Sequence, residues 1–122
     1  LAFDWNEYRK LAEFLSKYNG SDFSVSAARR SAVSRAYFAT YCCARNYACR
    51  KLSFVPANSS DDHTNLKNHL RNKNLNQWAT DLDRLRQDRN ACDYDSNSEI
   101  DVEAMVRSAL RISNHLLGKF SK

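Results

Sequence analysis

Breakers of regular structure are nearly absent from this chain: across 122 residues there are two glycines, Gly20 and Gly118, and one proline, Pro56. Glycine and proline are the strongest local punctuators of a polypeptide, so long uninterrupted stretches without them favour long helices. A length of 122 residues fits one domain, taken here as residues 1–122. Hydrophobic residues make up 43% of the chain and aromatic residues 11%, enough to fill a core without covalent staples.

Apolar periodicity divides the chain into five helices. The first is predicted near residues 4–19, with Asp4 as N-cap, Trp5, Tyr8, Ala12, Leu15 and Tyr18 recurring at three- and four-residue steps, and Gly20 as C-cap. The second runs from about 25 to 52, capped by Ser24 or Ser26. Its inner face reads Val33, Ala36, Tyr37, Thr40, Cys43, Ala44 and Tyr47, small enough to admit a neighbouring helix closely.

The segment 53–62, SFVPANSSDD, has turn chemistry and is expected to be a mobile loop. A short helix is predicted from His63 to about Arg71, then the turn NKNLN, residues 72–76, with Asn74 or Asn76 capping the next helix. That fourth helix covers about 75–93, with Trp78, Leu82 and Leu85 on its buried stripe. After YDSNS, residues 94–98, a last helix buries Val102, Met105, Val106, Ala109, Leu116 and Leu117 and ends near Gly118. The expected class is all-α, an up-and-down antiparallel bundle of four long helices plus one short one.

Composition narrows function. Nineteen Lys and Arg against fourteen Asp and Glu give a net charge of +5, which favours a polyanionic partner but also serves solubility. No apolar run approaches the roughly 20 residues needed to cross a bilayer, so no membrane association is expected and the chain is placed in the cytoplasm. The cysteines, Cys42 and Cys43 adjacent and Cys49 and Cys92 apart, read as reduced thiols. No C-x-x-C pair exists and His63, His69 and His115 are scattered, so no metal and no cofactor is expected.

One residue breaks the pattern. Projected at 100° per residue, Arg89 falls in the apolar sector of the fourth helix with Trp78, Leu82, Leu85 and Cys92. A guanidinium keeps its charge, so this position requires a carboxylate, a solvent-open cleft or an anionic ligand. The plain reading is an i, i+4 pair with Asp93, worth a few tenths of a kcal/mol when exposed. The functional reading is an anion site to which Arg86 and Asn90 add donors. Arg29, Arg30, Arg35, Arg45 and Arg50 spread around the second helix and read mostly as solvated charges; His63 reads as a solvated residue at a helix start, the alternative being a return to the cleft through the fold.

Two stretches carry a family resemblance. Residues 34–45, SRAYFATYCCAR, resemble the Ser-Arg-Ala-Tyr-Tyr-Ala-x-Phe-His-Ala-Ala-Arg helix of small prokaryotic HEPN proteins, and residues 86–95, RQDRNACDYD, resemble their Arg-x-x-x-Asp-Tyr segment. The resemblance covers about residues 5–117. It implies a helical bundle that forms a homodimer around an Arg-containing cleft, with members that are metal-independent endoribonucleases or toxins of toxin–antitoxin pairs beside a nucleotidyltransferase antitoxin.

Carried over by position, the resemblance implies Arg89, Asp93 and Tyr94 as catalytic residues and Arg86, Asn90, Arg35 and Tyr37 as nucleotide- or RNA-binding residues. The chain departs from the family at the histidines: positions 94–96 read Tyr94, Asp95, Ser96, and Cys42 replaces the histidine of the second helix. Cleavage of RNA without metal needs a base for the ribose 2′-OH, an acid for the leaving oxygen and a cation for the phosphorane. Arg89 supplies the cation, while a phenol is a poor base at neutral pH. Three functions therefore stand open: a ribonuclease, a catalytically degenerate module that binds nucleotide or nucleic acid or partners a nucleotidyltransferase, and a structural dimerisation domain.

Overall fold

The computed structural model describes residues 2–97 and 99–120, and among them there are five α-helices and no strand. These are α1 (Asn6–Lys17), α2 (Val25–Lys51), α3 (Asp62–Asn72), α4 (Asn76–Tyr94) and α5 (Val102–Phe120). Helix α2, 27 residues and so about 40 Å long, packs against each of the other four. Its inward positions explain why: Ala32, Ala36, Ala39, Ala44 and Ala48 are all at most 1% exposed, and a row without side-chain bulk lets neighbours approach closely.

Contacts fix the directions. The start of α2 meets the end of α4 (Arg30 to Cys92) and its end meets the start of α4 (Tyr47 to Trp78), so these two are antiparallel. The start of α2 also meets the start of α5 (Arg29 to Glu103), and its end the end of α5 (Tyr47 to Phe120), so these run parallel. Helix α1 runs against α2, since Arg29 reaches its last turn and Arg45 its Trp5. The four helices α1, α2, α4 and α5 thus alternate in direction. Helix α3 lies outside that alternation, starting beside Tyr37 and finishing beside Leu52, parallel to α2.

Between α2 and α5 a polar pair is buried inside the apolar contact. Thr40 donates to the Ala36 carbonyl at 2.8 Å and shares a 2.8 Å hydrogen bond with Ser113. Each hydroxyl has one proton, so Ser113 is the donor of the second bond. In the core Val33, Leu66, Leu70, Leu82, Leu85 and Leu116 are essentially excluded from solvent.

Several helix ends depart from the sequence reading. Helix α1 has 12 residues, hardly longer than the 11 of α3, because Tyr18 turns extended at φ −61°, ψ 132°. The N-cap of α1 is Trp5 rather than Asp4 and offers no side-chain cap, although Asp4 Oδ1 accepts the Asn6 N–H at 3.0 Å. Gly20 is no left-handed C-cap, since no glycine has positive φ. Its lack of a side chain instead makes room for Tyr18, whose ring would lie within 2.9 Å of an added Cβ. That ring stacks on Phe23 at 4.2 Å and its hydroxyl accepts the Asp22 N–H.

Ser24 caps α2 through the Ala27 N–H at 3.0 Å, as its position requires. Neither Asn74 nor Asn76 caps α4: Asn74 takes the left-handed conformation, φ 64°, that asparagine tolerates, and Leu75 precedes the helix without a side-chain cap. The loop 53–62 is tied at both ends. Phe54 is buried, and the buried carboxylate of Asp62 accepts the Ala57 and Asn58 N–H groups at 2.8 and 2.9 Å. Helix α5 passes Gly118 and continues to Phe120.

Candidate functional site

The last turn of a helix leaves carbonyls without partners, and at α4 they are taken by an arginine of another helix. Arg30 donates from Nη1 to the carbonyls of Cys92 (2.9 Å) and Asp95 (2.6 Å), and from Nη2 to that of Asn97 (3.2 Å). A cation there also complements the negative end of the helix dipole. Arg29 does the same for α1, bonding Leu15 and Tyr18 carbonyls at 3.0 and 2.8 Å while pairing with Glu103 at 2.9 Å. The expectation that these two are solvated charges is corrected: they lock helix ends, and Arg30 holds the segment that carries Asp93 and Tyr94.

Arg89 sits one step to the side of the buried stripe. The deep position belongs to Asp88, 8% exposed and reached by Arg84 at 3.2 Å, whereas the Arg89 side chain is 22% exposed. Both readings of Arg89 have a footing. Its Nε lies 2.8 Å from Asp93 Oδ2, although the N–H is not aligned for a hydrogen bond, and Nη1 donates to Asn90 Oδ1 at 3.1 Å. Its guanidinium lies 5.0 Å from the ring of Phe38, 5.6 Å from Tyr94 and 5.9 Å from Tyr37. Ser34 donates to the same Asp93 oxygen at 3.2 Å, which leaves Oδ1 open.

From Phe38 the pattern continues along the half-exposed stripe Arg35, Phe38, Tyr41, Arg45 of α2, at three- and four-residue steps. Arg35 lies 5.3 Å from Phe38 on one side and 4.7 Å from Tyr8 of α1 on the other. Arg45 lies 6.0 Å from both Tyr41 and Trp5. All of these distances are within the range in which a cation is drawn to an aromatic face. Two rings flanked by cations therefore form one row floored by α2, with α1 on one side and α3 and α4 on the other.

Few carboxylates neutralise this row. Asp93 is engaged by Arg89, Asp83 by Lys67 at 3.1 Å, and Asp62 by backbone N–H groups. Among the described residues Arg35, Arg45 and Arg86 have no carboxylate within 4.0 Å. Arg86 is half-buried, yet its charge reaches Tyr37, Tyr41 and His63.

His63 is not the solvated residue that its place at a helix start favours. It is 6% exposed, not solvated, and its Nδ1 lies 2.9 Å from the hydroxyl of Tyr37. Its Nε2 has no hydrogen-bond partner, the nearest carboxylate oxygen being Asp83 Oδ1 at 3.9 Å. Burial foremost, then the charges of Arg86 and Lys67, push its pKa down to about 4 against the opposing pull of Asp83. At neutral pH the imidazole is uncharged. The Asp83 carboxylate favours the proton on Nε2, so that Tyr37 donates to Nδ1.

A signal for this was available, because His63, Leu66 and Leu70 share the buried face of α3 at helical spacing. Tyr37 is itself buried, burial driving its pKa well up, so it offers the site a ring but no free hydroxyl. His69 also does structural work, its Nε2 lying 2.6 Å from the Leu52 carbonyl at the end of α2.

The arrangement brings Arg89, Asp93, Tyr94, Asn90, Arg35 and Tyr37 into one region, with Arg86 at its inner edge. It can hold phosphates on guanidinium edges and bases on exposed rings, Tyr94 being 73% exposed. No group of three or more His, Cys, Asp or Glu able to hold a metal occurs among the described residues, whose four cysteines are unbridged. No helix is long and apolar enough to cross a membrane. Comparison of the chain with protein-family models, with curated proteins and with solved structures gives no match.

Proposed function

We propose that this chain is a HEPN-like helical domain that binds single-stranded RNA along the row of cations and rings on α2. One observation carries the reading: Arg35 and Arg45 stand without carboxylates beside aromatic faces, next to an Arg89 that is only partly neutralised, and Arg86 nearby has no carboxylate partner among the described residues. Phosphate contact supplies affinity, and base stacking on aromatic side chains is the sequence-tolerant partner of such contact. Duplex RNA hides its base faces, so unpaired strands are the substrate. In this reading Arg35, Arg86 and Arg89 take phosphates, Asn90 adds a donor, and Phe38 and Tyr94 offer stacking faces.

Cleavage is the second reading, favoured by the convergence of Arg89, Asp93, Ser34 and Tyr94 at the end of α4. Arg89 would stabilise the phosphorane, the open Oδ1 of Asp93 would take the 2′-OH proton as that oxygen attacks phosphorus, and the Tyr94 hydroxyl would protonate the 5′-oxygen as its bond to phosphorus breaks. The groups around it argue for slow chemistry, because the one nearby imidazole is buried and spent on Tyr37. Losing a well-matched proton shuttle costs on the order of 10²- to 10⁴-fold in rate.

The two readings separate in one experiment. Purified protein is incubated with labelled single-stranded RNA with and without a chelator, alongside Arg89→Ala and an Arg35→Ala, Arg86→Ala double variant. Binding that the double variant loses, with no cleavage above the Arg89→Ala control, is the result expected of a binding module. Chelator-resistant cleavage abolished by Arg89→Ala would instead establish the enzyme. The resemblance also extends the proposal to a homodimer, for which sedimentation would give twice the chain mass.

A further inference from the structure

Asparagine is chemically labile where the backbone nitrogen of the next residue can reach its side-chain carbonyl. Two things prevent that approach: a side chain crowding the nitrogen, and a hydrogen bond that already holds its N–H. Of the twelve asparagines in the chain only Asn19 is followed by glycine. Most of the others lie within helices, such as Asn46, Asn65 and Asn90, where the following N–H belongs to the helical ladder. At Asn74 the next N–H is held by the Leu70 carbonyl at 2.9 Å, and at Asn58 the next residue is Ser59, whose side chain crowds the nitrogen.

The Asn19–Gly20 peptide has neither protection. It lies in the connection between α1 and α2, both residues are exposed, and Asn19 lines an open groove of about 380 Å3 with Phe14 and Lys17. Among the described residues neither the Asn19 side chain nor the Gly20 N–H has a hydrogen-bond partner. The fold also demands the glycine. An added Cβ at residue 20 would lie 2.7 to 2.9 Å from the ring and hydroxyl of Tyr18, which stacks on Phe23 at 4.2 Å and accepts the Asp22 N–H at 2.9 Å. The requirement that closes this turn therefore keeps an uncrowded nitrogen beside Asn19.

We propose that Asn19 is a self-modification site at which the folded chain converts its own asparagine to aspartate and isoaspartate, with water as the only co-reactant. The Gly20 nitrogen, its proton lost to hydroxide, attacks Asn19 Cγ; the C–N bond of the side-chain amide breaks and its nitrogen leaves as ammonia, closing a five-membered succinimide. Water then adds to one ring carbonyl and breaks the C–N bond there. Opening at the side-chain carbon gives aspartate, and opening at the main-chain carbon gives β-linked isoaspartate. One water is taken up, one ammonia is released, and nothing is oxidised or reduced.

Either product removes one unit from the net charge of +5 and places a carboxylate just past the negative end of the α1 dipole. Only isoaspartate lengthens the main chain before Gly20, which moves that residue from under the Tyr18 ring. The proposal is independent of the RNA-binding reading.

The test is to age the intact protein at physiological temperature over a pH series and to map its peptides by mass spectrometry after a separation that resolves the two linkages. Expected is a gain of one mass unit that appears first in the peptide holding Asn19, at a rate that rises with hydroxide concentration and is comparable in the folded and the urea-unfolded chain, with isoaspartate among the products. Asn19→Gln, whose amide would have to close a six-membered ring, should stay unmodified at that position. Hydrogen exchange at the Asp22 N–H should be faster in the isoaspartyl form than in the unaged protein, and unchanged in Asn19→Asp. An Asn19 that stays an amide while Asn58 converts, that converts only in urea, or that gives aspartate without isoaspartate would overturn the proposal. Exchange at Asp22 that isoaspartate leaves unaltered would overturn its coupling to the Tyr18 ring.

Discussion

Replacing His63 by Gln should remove most of the acid sensitivity of this fold between pH 7 and pH 5. The imidazole titrates at about 4 in the folded chain and near 6.5 when unfolded, so the unfolded state binds more protons throughout that interval. Stability contributed this way is present above pH 6.5 and is lost as pH falls, because protonation pulls the equilibrium toward the unfolded chain. Integrating the two titrations gives a loss of about 2 kcal/mol between pH 7 and pH 5 and about 3 kcal/mol by pH 4.

Among the described residues no other group whose pKa is shifted acts in that window. Asp83, held below the usual carboxylate range by Lys67 against its own desolvation, loses its contribution only below about pH 4. His69 and His115 are common to both proteins and cancel in the difference. Urea unfolding of wild type and His63→Gln at half-unit pH steps isolates the effect. The wild-type free energy should fall relative to the variant by about 2 kcal/mol from pH 7 to pH 5. A difference that stays flat, or grows toward acid, would refute the placement of a neutral imidazole beneath Tyr37.

Other substitutions address the joints of the fold. Arg30→Ala leaves three carbonyls at the end of α4 without their guanidinium; a loss of about 2–3 kcal/mol, read from the urea midpoint, is expected, with earlier hydrogen exchange at the end of α4. Asp62→Ala uncaps two N–H groups of the loop before α3 and should cost about 2 kcal/mol, with proteolytic nicking between 53 and 61 as its signature.

The helices were legible in the sequence for a simple reason: with glycine and proline so scarce, apolar spacing had little competition, and the bounds of α2 follow from Ser24 and the turn chemistry beyond residue 52. The helix ends were less legible. Which carbonyls Arg29 and Arg30 would reach is a tertiary fact, and neither guanidinium carries a local mark of its partner. Arg89 was visible as an anomaly, but helical projection has a tolerance of about one residue, and the deep position turned out to be that of Asp88. His63 could have been recognised from its spacing with Leu66 and Leu70. What hid it was its place at a helix start beside Asp61 and Asp62, a setting that usually faces water.

The row of rings on α2 was partly readable in Arg35, Phe38 and Tyr41. Its completion by Tyr8 of α1 and Trp5 just before it depends on how two helices pack, which no spacing within one of them records.

The central claim, that Arg35 and Arg86, without carboxylates, and the partly neutralised Arg89 hold the phosphates of an unpaired RNA strand, is tested most directly by the salt dependence of binding. Affinity for a fluorescent oligouridine should fall with a log–log slope of about −2 if Arg35, Arg86 and Arg89 each neutralise one phosphate, at about −0.7 per contact. For Arg86→Ala the slope should relax to about −1.4. Absence of binding at 50 mM salt, or a slope that Arg86→Ala leaves unchanged, would contradict it.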